Sequence, residues 1–200
     1  MHPLKQRARE NELTLLHYLA SFDCLTKKNI ALLLYGKTDN SSVSYADRLT
    51  KRLMRSGWIA RRRAADNLYR YFLSERGTYI AAETLPFTPR SGYDRSYLNA
   101  PLYERIDTVV IEDMWRYNGI GLGRGALRYL LNGKLTLLDG ALTVEKSGTP
   151  TFIRFYVRIN SLSQNAREHY DKCRKLAQVY KIPLKIVASD FIEKTLQKKR

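Results

Sequence analysis

Seven residues between Ser41 and Arg55 have the types and spacing needed to grip a polyanion. With successive side chains advancing about 100° around a helix, the segment Ser41-Ser-Val-Ser-Tyr-Ala-Asp-Arg-Leu-Thr-Lys-Arg-Leu-Met-Arg-Ser56 places Ser41, Ser44, Tyr45, Arg48, Lys51, Arg52 and Arg55 on one face. Val43, Ala46, Leu49, Thr50, Leu53 and Met54 take the other. Cations on such a face neutralise phosphate. Arginine's planar fork also matches a guanine edge, and serine and tyrosine hydroxyls hydrogen-bond to base edges. The competing reading is a charged outer face that only keeps a packed helix in solution. The residues just after the helix shift the balance: Arg61, Arg62, Arg63 and Arg70 come within one short hairpin pattern, and a cluster of that sign fits an anionic partner.

The elements that must position these residues are legible in outline. Glu12 to Ala20 is an apolar-periodic helix, and Thr26 is a suitable N-cap for a second helix from Lys27 to Tyr35. The basic helix comes third and Gly57 suits its C-terminal ending. Trp58 to Arg63 reads as a strand, Ala64 to Asn67 as a turn, and Leu68 to Leu73 as the returning strand. The order helix, helix, helix, strand, strand is that of the winged helix-turn-helix family. Leu68-Tyr-Arg-Tyr-Phe-Leu-Ser-Glu-Arg-Gly77 resembles the hairpin ending of many bacterial members. The resemblance implies a DNA-binding domain over residues 1–85, with the third helix in the major groove.

Composition bounds the partners. The net charge is +16, with +7 over residues 1–84 and +9 over residues 85–200. Both halves therefore favour a nucleic acid, with an affinity that falls with salt. A membrane surface is the competing polyanion, but no apolar run approaches the ~20 residues of a spanning helix, and the N-terminus lacks the apolar core of a signal peptide. No membrane partner and a bacterial cytoplasmic location are expected. Cys24 and Cys173 read as reduced packing thiols, and His2, His17 and His169 form no metal-ligating pair. RNA is disfavoured, since no aromatic platform at single-strand spacing is present.

Leu85-Pro-Phe-Thr-Pro-Arg-Ser-Gly-Tyr-Asp94 breaks any regular element and marks a linker over 86–98, with a second, α/β domain over 99–200. A helix is expected to start at Asn99 or Ala100, with Leu102 to Tyr117 at helical spacing. Glycines 119, 121, 123 and 125 mark a loop. That run matches neither a Walker loop nor a dinucleotide fingerprint, so no nucleotide cofactor is expected. Strands come next at Lys134 to Val144 and Phe152 to Ile159, joined by a turn from Glu145 to Pro150. A helix from Ser163 to Val179, a strand from Ile182 to Ala188 and a short basic helix ending in Lys198-Lys-Arg200 complete the chain. The fold class is α+β. The order helix, strand, strand, helix, strand is shared by restriction-endonuclease-like cores.

Such cores hydrolyse phosphodiesters when one strand supplies an aspartate and the next a Glu/Asp-x-Lys, the carboxylates holding a divalent metal. Leu137-Leu-Asp-Gly-Ala-Leu-Thr143 resembles the first half, with Asp139 in the aspartate position. The second half is missing. Alternation along Phe152 to Asn160 puts Arg154, Tyr156, Arg158 and Asn160 on the face that should hold carboxylates. Arg154 and Arg158 are therefore expected to contact phosphate, and no metal site is expected. Three readings of Asp139 stay open: a turn at a strand end, a degenerate site, or a live one using Mg²⁺ or Mn²⁺, with Glu104, Glu112, Asp113 or Glu145 supplying further ligands. A tyrosine nucleophile such as Tyr103 or Tyr156 is a variant of the last.

Over most of its length the chain resembles the replication-relaxation family of bacterial mobile-element proteins, which is related to C-type mobilisation relaxases. The specific matches are Leu53-Met-Arg-Ser-Gly-Trp-Ile-Ala60 and Leu68 to Gly77 in the first domain. The acidic strand of active relaxases is not matched. The resemblance implies a sequence-specific double-stranded DNA-binding protein of a plasmid or other mobile element. Its expected role is in transcription regulation, or as a relaxosome or replication accessory factor in conjugation and mobilisation. The alternatives are a metal-dependent nickase using Asp139 and a partner-recruiting adaptor. Homodimers, relaxosome proteins and replication proteins are the expected partners besides DNA.

Overall fold

A computed structural model describes residues 3–92, 101–188 and 192 of the chain. The helix start expected at Asn99 or Ala100, residues 93–98 of the expected linker, and the basic segment ending in Lys198, Lys199 and Arg200 lie outside the described residues. The fold is mixed α+β, with seven α-helices and two sheets among the described residues. The chain divides into two compact units, Met1–Pro101 and Leu102–Arg200.

The first unit runs α1 (Pro3–Phe22), β1 (Leu25–Thr26), α2 (Lys27–Tyr35), α3 (Asn40–Arg55), β2 (Ile59–Arg63), β3 (Tyr69–Leu73) and α4 (Glu75–Ala82). Helix α1 begins well before Glu12. The stretch from Lys5 to Glu10 is polar and leaves no apolar spacing to read, so its helicity is invisible to periodicity. The Thr26 hydroxyl accepts the Asn29 N–H at 3.2 Å and caps α2 as its sequence suggests. Glycines end two helices: Gly36 closes α2 in the left-handed region, and after α3 the Gly57 N–H reaches Met54 O while the Trp58 N–H reaches Leu53 O, each at 3.0 Å. That pair of bonds is a Schellman ending, which turns the chain into β2.

Strand β3 is central in an antiparallel sheet of order β1-β3-β2. Both of its edges are therefore paired, and Arg70 and Tyr71, which point opposite ways, are each 1% exposed. Leu15, Leu16, Leu19, Ile30, Leu49, Leu53, Ile59 and Leu73 are buried and form the apolar interior. Ser74 ties the hairpin to α4 and to the end of α3: its hydroxyl accepts the Gly77 N–H and donates to Gly57 O at 2.5 Å. Residues 86–92, expected to begin a linker, return to β3 through a 2.9 Å bond from Gly92 N–H to Leu73 O.

The second unit runs α5 (Pro101–Tyr117), β4 (Ile120–Gly123), α6 (Arg124–Leu127), a 3₁₀ turn (Leu130–Gly133), β5 (Gly140–Lys146), β6 (Thr149–Ile159), α7 (Gln164–Tyr180) and β7 (Leu184–Ala188). Its sheet has the order β4-β5-β6-β7, antiparallel across the first three strands and parallel between β6 and β7. Ser147 and Gly148, both at positive φ, make the two-residue turn between β5 and β6. Phe155, Val157 and Ile159 face the apolar cluster that includes Cys173 and Ala177 of α7. Tyr156 and its neighbours two residues away face α5.

Two expectations fail here. The glycine run is a strand and a short helix rather than a loop, because its glycines answer to close approach and not to turning: a Cβ at Gly119 would overlap Thr143 O, and one at Gly121 would lie 3.1 Å from Val110 Cγ1. Strand β5 starts at Gly140 rather than Lys134, since Lys134 to Leu138 close hydrogen-bonded turns onto the preceding residues.

Gly77 is the tightest backbone approach in the first unit, where a Cβ would overlap the Trp58 carbonyl. Gly77→Ala is expected to destabilise the fold by about 3 kcal/mol or more. Gly148→Ala meets nothing within 4 Å and should cost only its positive-φ strain, about 1 to 2 kcal/mol. Thermal denaturation followed by circular dichroism distinguishes the two.

Candidate nucleic-acid interface

Helix α3 starts from a charged cap. Asp39 Oδ1 accepts the Ser42 N–H at 2.8 Å, and its other oxygen pairs with Lys37 Nζ at 2.8 Å. Those two bonds, with Lys37 the stronger influence, hold the Asp39 carboxyl well below the usual carboxylate range. An anion at this end and Arg52 and Arg55 in the last turn both complement the helix dipole. Ala46, Leu49, Thr50 and Leu53 are buried. Ser41, Ser44, Tyr45, Arg48, Lys51, Arg52 and Arg55 are all exposed, so the seven residues form one outward stripe.

The cations on that stripe are not equivalent. Lys51 Nζ lies 2.7 Å from Asp47, whose other oxygen holds Lys27 at 2.7 Å. Hydrogen bonds from Lys27 and then Lys51 depress the Asp47 carboxyl. Arg52 Nε lies 2.6 Å from Glu12 of α1, which draws this side chain to the flank of α3. Arg55 Nε reaches only its own helix, at 3.5 Å from Lys51 O. Arg48 sits over an aromatic face, its Cζ 4.4 Å from the Tyr45 ring centre, and the Tyr45 ring packs 6.0 Å from that of Tyr35. Lys51, Met54 and Arg55 line an open groove of about 410 Å³ where the outward stripe meets the apolar face.

The hairpin adds three exposed arginines. Register pairs Arg61 with Tyr71, Arg62 with Arg70 and Arg63 with Tyr69. Arg61 and Arg63 thus share one face and Arg62 takes the other. Arg61 Cζ lies 4.3 Å over the Tyr69 ring, and Arg63 Nε reaches Asn67 O at 3.4 Å. Arg70, expected among these contacts, belongs to the interior. Its place on the central strand buries it, and its Nη2 lies 2.6 Å from Asp66, whose other oxygen accepts the Leu68 N–H at 3.1 Å. Asp66 thereby fastens the turn to the strand. Arg70 shapes the hairpin from inside.

In the second unit Arg154 and Arg158, expected to contact phosphate, each have partners within the protein. Arg154 Nη1 donates to Asp113 at 2.8 Å and its Nη2 to Tyr117 Oη at 3.1 Å. Arg158 packs its Cζ 3.5 Å over the Tyr103 ring and donates from Nη2 to Tyr103 Oη at 2.8 Å, with Nε and Nη1 buried away from solvent. Both side chains are partly exposed and engaged with α5, Arg154 beside Asp113 and Tyr117 and Arg158 on Tyr103. Asp139, 8% exposed, accepts the Arg158 backbone N–H at 2.8 Å and lies 3.8 Å from Arg124 Nε. Tyr103 and Tyr156, the two candidate nucleophiles, are 3% and 0% exposed. Among the described residues no three His, Cys, Asp or Glu side chains converge. No described helix is long and apolar enough to cross a membrane.

Sequence reasoning missed the polar centre of this unit. Asp113, 1% exposed, receives hydrogen bonds at one oxygen from Arg154 and Tyr156 at 2.8 Å and from Lys185 at 3.0 Å. The available signals were a carboxylate on the apolar face of a helix, and a lone lysine inside the apolar run Ile182 to Ala188. Burial opposes ionisation of Asp113, but the bonds from Lys185, Tyr156 and Arg154 outweigh it and hold the carboxyl below its ordinary 3.8. Burial, then the hydrogen bond to Asp113 and its charge, push the Tyr156 hydroxyl up. Burial and the charge of Asp139 likewise push the Cys173 thiol up to about 12. Comparison with protein-family models, curated proteins and solved structures returned no match.

A carboxyl with a depressed pKa in the folded state stabilises above its unfolded value and loses that contribution as pH falls through the folded one. The Asp113 contribution is therefore complete at neutral pH and fades below the ordinary 3.8. Asp113→Asn is expected to melt at a lower temperature at pH 7. Its melting temperature should also fall less than wild type's between pH 4 and pH 2. Parallel slopes for the two proteins in that window would remove the assignment.

Proposed function

We propose that the first unit is a winged helix-turn-helix that binds double-stranded DNA, with α3 entering the major groove and the β2–β3 hairpin contacting the adjoining backbone as a wing. The observation that carries this reading is the single exposed stripe on α3, set in the same compact unit as a hairpin with three exposed arginines. The order helix, helix, helix, strand, strand, with β1 completing a three-stranded sheet, suits that docking. Arg55, Arg61, Arg62 and Arg63 supply phosphate neutralisation, while Ser41, Ser44, Tyr45 and Arg48 face the groove floor. Lys51 and Arg52 contribute less, because Asp47 and Glu12 already neutralise them. The biological setting in this proposal is an operator or origin on a plasmid or other mobile element, where the protein acts as a regulator or an accessory factor.

We further infer that the second unit is a restriction-endonuclease-like core without hydrolytic activity. One helix, three antiparallel strands, a second helix and a parallel strand come in the order of such a core. Its acidic positions are compensated by the protein's own cations, Asp113 by Arg154 and Lys185 and Asp139 by Arg124. Asp113 already accepts three bonds at one oxygen and Asp139 takes the Arg158 backbone N–H, which leaves fewer oxygens to hold a divalent ion.

The test is strand-resolved footprinting of the full-length protein on DNA from its own genetic neighbourhood, with and without Mg²⁺. A protected segment without new breaks is expected. Replacing Arg48, Arg52 and Arg55 together by alanine should weaken binding about tenfold or more, a base-reading arginine costing about 1 to 3 kcal/mol and a lost phosphate contact adding to that on every sequence. Unchanged affinity in that variant would dismiss the α3 interface. A Mg²⁺-dependent break that disappears in Asp139→Ala would replace the inactive core with a nickase.

A further inference from the structure

Within the proposed DNA interface, we infer that Arg48 is the base-reading residue, that it selects guanine, and that Tyr45 positions it. This inference rests on the reading of α3 as a major-groove helix. Three arginines share the outward stripe, and their surroundings separate their roles. Arg52 is held at the flank by Glu12 at 2.6 Å, and Arg55 leans on its own helix through Lys51 O at 3.5 Å. Arg48 has neither a carboxylate nor a hydrogen-bond acceptor among the described residues. Its contact is the Tyr45 ring, 4.4 Å from Cζ.

A ring beneath the guanidinium carbon restricts where the group can swing and takes none of its N–H donors. The Tyr45 ring is half exposed and leans on Tyr35 at 6.0 Å, a tilted contact that limits where it can swing. A planar fork in a set orientation matches the paired acceptors N7 and O6 of guanine, which only that base presents in the major groove. A phosphate needs no such alignment. Ser44, one turn before Arg48, and Ser41, one turn earlier still, are small and exposed. They let the helix backbone approach the groove floor closely enough for Arg48 to reach a base edge. Lys27 and Lys51 flank this region, but Asp47 neutralises both at 2.7 Å, which lowers sequence-independent attraction there.

The experiment enriches a randomised pool of duplex DNA on the full-length wild-type protein and on Arg48→Ala, Arg48→Lys, Tyr45→Phe and Tyr45→Ala, then sequences the bound fraction. Wild type is expected to enrich a site with a fixed guanine. Arg48→Ala and Arg48→Lys should lose preference at that one base pair by about tenfold or more. Other positions should stay selected. Tyr45→Phe, which keeps the ring, should retain the guanine, and Tyr45→Ala should lose it partly. All these side chains are exposed, so unchanged melting curves are expected alongside. A wild-type site without a fixed guanine would overturn the inference, as would an Arg48→Ala protein that weakens on every sequence alike while keeping the guanine; in both cases DNA binding by α3 would stand. A wild-type protein that enriches no sequence and retains no duplex would remove the underlying reading, and this inference with it.

Discussion

Like charges crowded onto one small protein repel, and the fold is organised around neutralising them locally. The sequence carries 35 basic against 19 acidic residues. In the first unit Asp47 serves Lys27 and Lys51, Glu12 serves Arg52, and Asp66 serves Arg70. In the second, one oxygen of Asp113 takes bonds from Arg154, Lys185 and Tyr156 together. Where no carboxylate is at hand, an aromatic ring substitutes: Tyr45 under Arg48, Tyr69 under Arg61, Tyr103 under Arg158. These pairings compensate part of the excess, while Arg48 and Arg55 on α3 stay exposed with no carboxylate beside them among the described residues. Individually exposed ion pairs stabilise little. Their effect here is on where the field points.

The same economy separates the two faces of the second sheet. Alternation along β6 sends Phe155, Val157 and Ile159 into the apolar cluster under α7, and Arg154, Tyr156 and Arg158 toward α5. A charged face between a sheet and a helix is tolerable only when every charge finds a partner there. Tyr103 and Tyr117 from α5 supply hydroxyls and ring faces, and Asp113 supplies the countercharge. The two arginines of β6 thus hold the sheet against α5 from partly exposed positions.

Much of the first unit was legible because its signals are local. The Thr26 cap, the two-faced periodicity from Ser41 to Ser56, Gly57 and the Ala64 to Asn67 turn each act within a few residues. Arg70 was misplaced because burial on a central strand depends on β1, a two-residue strand too short to leave a pattern. The second unit was harder to read for the same kind of reason. The alternation of β6 was visible, but Asp113, Tyr156 and Lys185 meet from elements up to 72 residues apart. No spacing rule joins them. Glycines 119 to 123 misled because a residue without a side chain signals a turn in sequence and close packing in space, and only the fold decides between them.

Gly121 and Gly140, from neighbouring strands, together form the seat of α5. A Cβ at either would press on Val110, 3.1 Å from Cγ1 in one case and 2.8 Å from Cγ2 in the other. The helix that delivers Asp113 rests directly on backbone, with no side chain between to absorb a change. A side chain at Gly140 would force Val110 to shift, and one at Gly121 would need Val110 to yield by a few tenths of an ångström. The two strands thus hold one shared vacancy for one valine, and a smaller residue at Val110 would open room at both glycines together.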